Sequence, residues 1–128
     1  MKLACIDIGL KRIGIAISLQ SDIVTPQTAI LRKNRNQAAN DINAFLKEWE
    51  IEKLIVGLPS ASEDMQKRIP HFIKLLELKI PYEFQEENMS SIEAEDMMKG
   101  EIKYKKDGRV DSLAAKIILE RYLRANKQ

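Results

Sequence analysis

A chain of 128 residues with 45% hydrophobic content can bury one core without disulfides or a structural metal. Lys and Arg number 21 against 19 Asp and Glu, so at a net charge of +2 any basic footprint for nucleic acid must come from local clustering. The lone cysteine, Cys5, excludes a disulfide within the chain, Asp7 interrupts any secretory-type apolar start, and no run approaches the roughly 20 apolar residues that span a bilayer. The expectation is a soluble cytoplasmic protein with a single domain over residues 1–128.

In chain order, residues 3–8 are apolar except for Asp7, as in a central strand buried on both faces with a carboxylate at its exit. Gly9 and Gly14 bracket Leu10-Lys11-Arg12-Ile13, and Ile15-Ala16-Ile17-Ser18 resumes as a second strand, which predicts a hairpin. After a turn at Ser21-Asp22, residues 23–31 read as a third strand, and Pro26 assigns it to a sheet edge or a bulge. Ala38, Ile42, Phe45, Leu46 and Trp49 recur at helical spacing and predict a helix over about residues 36–50. Leu54-Ile55-Val56 forms a short fourth strand closed by Gly57-Leu58-Pro59. The polar stretch 60–67 leads into a second helix ending near Leu78, in which Pro70 either opens the regular part or kinks it. Residues 81–85 alternate as a fifth strand, and Ser90-Ser91-Ile92-Glu93 is a capping box for a short helix stopping at Gly100. A last helix runs from Val110, with Leu113, Ala114, Ile117 and Ile118 on its apolar side.

This order predicts an α/β fold: a five-stranded mixed sheet, a three-stranded antiparallel meander plus two parallel strands, flanked by helices. Right-handed crossovers would gather the ends of strands one, four and five along one edge. Three carboxylates fall there: Asp7 leaving strand one, Glu87 leaving strand five and Asp111 in the first turn of the last helix. Carboxylates crowded together repel unless a cation neutralises them, so the group reads as a site for one or two hard divalent ions, Mg2+ or Mn2+, able to serve phosphodiester hydrolysis. Each residue has a plainer alternative. Asp7 could pair with Lys11 or Arg12, and Glu87 and Asp111 could simply favour a helix dipole.

Cys5-Ile6-Asp7-Ile8-Gly9-Leu10-Lys11-Arg12-Ile13-Gly14-Ile15-Ala16, Val56-Gly57-Leu58-Pro59, Glu86-Glu87-Asn88-Met89-Ser90-Ser91-Ile92-Glu93-Ala94-Glu95 and Val110-Asp111-Ser112-Leu113-Ala114-Ala115 together resemble the YqgF/RuvX family, in order along the whole chain. The resemblance implies a ribonuclease H-like fold related to junction resolvases, and a metal-dependent nuclease that matures the 5′ end of pre-16S ribosomal RNA; the expected partners are nucleic acid and ribosomal particles, and the expected state a monomer or weak homodimer. It also implies Asp7, Glu87 and Asp111 as catalytic and metal-binding residues. The chain departs from the family pattern in two places. Asn88 stands where the family usually has Arg, so Glu87 is preferred to Glu86 by register with the following motif. The loop at residues 60–64 is short and lacks glycine.

Lys11 and Arg12 after Asp7, and Lys99, Lys103, Lys105, Lys106 and Arg109 before Asp111, flank the expected site and could hold phosphates, although Glu101 and Asp107 make a solvated loop the alternative. Tyr104 could stack on a base. His71 reads as a surface residue, and Phe45, Trp49, Met97 and Met98 as packing. The competing functions are a DNA junction resolvase, an actin-like nucleotide-binding protein, for which 128 residues are too few to make two lobes, and a nucleic-acid-binding module without activity.

Overall fold

The computed structural model describes residues 1–9, 11–20, 23–59, 63–86 and 109–126, with the side chains of residues 109–111 left out. The elements are β1 (Leu3–Ile8), β2 (Arg12–Ser18), β3 (Thr25–Leu31), α1 (Arg35–Glu48), β4 (Lys53–Leu58), α2 (Glu63–Leu76), β5 (Tyr82–Glu86) and α3 (Arg109–Ala125). The turn expected at Ser21-Asp22, the capping-box helix to Gly100 and the packing of Met97 and Met98 lie outside the described residues.

The strands form one sheet in the order β3-β2-β1-β4-β5. β1 is antiparallel to β2 and parallel to β4, β2 is antiparallel to β3, and β4 is parallel to β5. The meander and the two parallel strands are thus arranged as expected. β1 lies at the centre, which its nearly continuous apolar sequence requires, and Pro26 sits on the edge strand β3, where a missing donor costs least.

Strand alternation divides the core in two. Ala4, Ile6, Ile8, Ile13, Ile15, Ile17, Leu54 and Val56 face α1 and α2, where they meet Ile42, Leu46, Ile69, Phe72 and Leu76. Leu3, Cys5, Ala16 and Ile55 face α3, against Ala115, Ile118, Leu119 and Tyr122. Cys5 is buried and forms no disulfide, as a small core residue should be. Phe45 and Trp49 pack, partly buried, against the larger core, and His71 is exposed.

Helix boundaries differ from the periodicity. Pro70 does not open α2: the helix begins seven residues earlier at Glu63, and Pro70 is internal. The polar first turn belongs to the helix because Glu63 and Asp64 favour its N-terminus, and Asp64 pairs with Arg68 one turn on at 3.0 Å. α1 starts under a capping box in which the Asn34 side chain accepts from the Gln37 amide at 2.8 Å. α1 ends at Glu48 and α2 at Leu76, each about two residues earlier than the pattern predicts, because Glu50 and Glu77 take left-handed φ angles of 53° and 48°. β3 begins at Thr25 rather than residue 23, β4 extends to Leu58, and β5 runs through Glu86.

On the α3 side, the Lys53 ammonium meets the Glu83 carboxylate at 2.6 Å and donates to the Tyr122 hydroxyl at 2.8 Å; that hydroxyl in turn donates to Glu83 at 2.9 Å. The bond to Glu83 and then that to Tyr122 raise the Lys53 pKa above its ordinary value, and the bond from Lys53 and then that from Tyr122 lower Glu83 below its own. This trio ties the C-terminal half of α3 to β4 and β5. Among the described residues no helix is long and apolar enough to cross a membrane.

Candidate active site

Asp7 is half-buried one residue before the end of β1. It alternates with Leu3 and Cys5 and therefore faces α3. Its partner on β2 is Gly14, whose lack of a side chain leaves the sheet open beside the carboxylate.

The start of α3 is fixed by one bond. The Ile15 amide, where the β2–β3 register shifts, donates to Ser112 Oγ at 3.0 Å, and both residues are fully buried. A serine side chain is only two heavy atoms long, so the helix backbone must lie close against the sheet. Gly14 and Ala16 below, and Ala114 and Ala115 above, leave room for that approach. Ile15 directly follows Gly14, the partner of Asp7, and Ser112 directly follows Asp111. The first turn of α3, which carries Asp111, is thereby brought to the same sheet edge as Asp7. Ser112 drew no attention in the sequence as a site residue. Its signal was a hydroxyl on the otherwise apolar face of a helix, the position where a buried polar group needs a specific partner.

Register also separates the two strand-five glutamates. Glu86 pairs with Leu58, and Phe84 with Val56, which faces α1 and α2, so alternation puts Glu86 on the sheet face opposite Asp7. Glu83, on the other parity, meets Tyr122 of α3. Glu87 lies outside the described residues, as do Lys99, Lys103, Tyr104, Lys105 and Lys106, and the side chains of Arg109 and Asp111 are not described. Among the described residues no group of three or more His, Cys, Asp or Glu side chains is placed to hold a metal ion. Lys11 and Arg12 are exposed at the turn after Asp7, on the same edge.

Gly9 closes that turn. Its amide donates to the Arg12 carbonyl at 3.0 Å, its own carbonyl accepts from the Arg32 guanidinium at 3.0 Å, and a Cβ at this position would stand 2.7 Å from the Arg12 oxygen. Gly9→Ala must therefore push the turn open. We expect a loss of about 1–3 kcal/mol in urea unfolding, and an unchanged midpoint would refute the close approach.

A mixed five-stranded sheet in this order, with an acidic strand end beneath a close-packed helix, defines a resolvase-like nuclease fold of the ribonuclease H type. The fowlpox virus Holliday junction resolvase superposes with a TM-score of 0.63 at 16% identity, covering 98% of this chain and 99% of that one. Thermus thermophilus RuvC in complex with a Holliday junction substrate superposes with 0.60 at 12%, covering 99% and 97%. Residues 1–125 match the family model described as RuvX, Holliday junction resolvase, and the chain belongs to that family. Relatives named "Putative pre-16S rRNA nuclease" include one from Sulfurovum sp. that is 64% identical over 126 residues, covering 96% of this chain and 98% of the relative. One from Sulfurimonas denitrificans is 52% identical over 127 residues, covering 97% and 98%.

Proposed function

We propose that the protein is a single-domain, divalent-metal-dependent nuclease that trims the 5′ end of pre-16S ribosomal RNA in the cytoplasm, on ribosomal particles. The observation that carries the site is the Ser112–Ile15 bond, which seats the start of α3 beside Asp7. The family and the names of its close relatives support the substrate.

In this reading Asp7, Glu87 and Asp111 hold one or two Mg2+ or Mn2+ ions. The donor set suits them: oxygen ligands only, one from a rigid central strand and one from a helix anchored to the sheet. Glu87 is chosen over Glu86 because Glu86 lies on the face away from Asp7. When bound, such ions supply charge neutralisation and an activated water. The protein's own contribution is placement: β1 fixes Asp7, α3 brings Asp111 to it, and Lys11, Arg12, Lys105, Lys106 and Arg109 hold substrate phosphates on either side.

The test is to incubate the purified chain with precursor 16S RNA and with a four-way DNA junction, with and without manganese, and to map the products. The expected result is manganese-dependent cleavage near the mature 5′ end. Cleavage of the junction alone would instead establish a resolvase, whose paired symmetric cuts need a dimer. Metal binding with no cleavage of either would establish a binding module.

A further inference from the structure

Beyond the site, a groove on the other side of the same sheet edge gathers positive charge. Arg32, Lys33 and Arg35, in the link from β3 to α1, and Lys67, Arg68 and His71 on α2 line one open groove. No carboxylate lines it among the described residues. In a chain of 21 cations and 19 acids, five cations around one groove without an acidic residue in its wall is a marked segregation. Of the five, Arg68 is paired, with Asp64 at 3.0 Å, and that pair is well exposed and so weak.

The groove has a fixed point. The Arg32 guanidinium donates to the Gly9 carbonyl at 3.0 Å and lies over the Phe72 ring at 5.4 Å, so its charge is held in one place and not spread by side-chain motion. Gly9 is two residues from Asp7. Around the intervening turn stand exposed Lys11 and Arg12. Cations thus stand at the β1–β2 turn, between Asp7 on the α3 face and the groove between the β3–α1 link and α2.

We propose that this groove binds the phosphodiester backbone of the nucleic-acid substrate beyond the cleaved bond, as a track for its flank; the inference rests on the nuclease reading above. Arginine and lysine in a wall that holds no carboxylate suit a polyanion, and with Phe72 buried beneath Arg32 and His71 the other ring of the wall, the little stacking surface points to backbone contact without base selection. The signal in the sequence is the run Arg32-Lys33-Asn34-Arg35, to which the fold adds Lys67 and Arg68.

The test uses the full chain in EDTA, which prevents cleavage, and fluorescence anisotropy with a labelled RNA hairpin carrying a single-stranded 5′ extension, or a four-way DNA junction, from 50 to 200 mM salt. Arg35 and Lys67 are exposed, so Arg35→Ala/Lys67→Ala should fold normally. Lys47→Ala/Lys79→Ala, remote from the groove, removes the same charge as a control. For the groove variant we expect RNA affinity to fall at least about tenfold, and the slope of log affinity against log salt to become shallower by about 1.4, as for two lost single-strand phosphate contacts. The control should stay within about twofold. The same losses on the junction, with no RNA binding by the unmodified chain, would uphold the groove and overturn the ribosomal RNA reading. Unchanged affinity and slope in the groove variant, with binding by the unmodified chain, would overturn the groove and leave the nuclease reading standing. Equal losses in groove variant and control would also overturn it, and absence of binding to either probe would overturn both.

Discussion

Asp7→Asn is expected to reduce manganese-dependent cleavage by at least about a hundredfold while leaving the fold in place. The replacement keeps the shape of the side chain and removes the charge that a divalent ion would meet. Asp7 is half-buried at the exit of β1, while the residues that hold the strand in the sheet, Cys5 and Ile6, are fully buried and untouched. Two measurements separate the metal reading from a structural one. Manganese should raise the unfolding temperature of the native chain by preferential binding to the folded state, and should fail to do so in Asp7→Asn. Without metal, the two proteins should unfold at nearly the same temperature. Retained cleavage in the variant, or a metal-free collapse of its stability, would remove Asp7 from the proposed site.

The second large effect is expected at Ser112. Ser112→Ala leaves the buried Ile15 amide without its acceptor at a place where water cannot replace it, a cost of about 1–3 kcal/mol. Because the same bond positions the first turn of α3, cleavage should suffer more than stability: a displacement of about 1 Å at a reacting centre can cost around a hundredfold in rate. In the proposed site Ser112 would act through Asp111 without touching substrate, so kcat should fall and KM should change little. Ser112→Thr, which keeps the hydroxyl, should recover part of the rate. A Ser112→Ala protein that loses stability yet cleaves at the native rate would show that the bond holds the fold together without setting the site.

Much of the architecture could be read from local pattern because the pattern has a direct physical cause. β1 is apolar on both faces because it is flanked by strands and covered by helices on both sides, and Pro26 marks an edge because only an edge tolerates the missing donor. Helix ends were harder. α1 and α2 both terminate next to a glutamate in the left-handed region, where glycine is the usual marker, so the composition carried no stop signal. The start of α2 was hidden by Pro70, which the sequence allows either at the opening of the regular helix or at a kink, and which lies inside the helix.

The site divides in the same way. Asp7 stood out because a carboxylate in an apolar strand needs a reason, and the motifs around Glu87 and Asp111 made them its companions. Neither motif shows how the elements beside it sit on the sheet. That is decided by pairings between residues far apart in the chain: Ser112 with Ile15, 97 positions away, which sets α3 on the sheet, and the β4–β5 register, which turns Glu86 away from Asp7. The groove is similar, since Arg32 to Arg35 form a visible basic run, but Lys67 and Arg68 join it only when α2 packs beside α1. The sequence by itself determined the meander with two parallel strands, the first strand buried on both faces and the acidic residue at its exit, because burial and backbone hydrogen bonding act on local composition. The tertiary structure alone decided which distant groups share a face, because alternation and register are properties of paired strands and cannot be expressed by either strand alone.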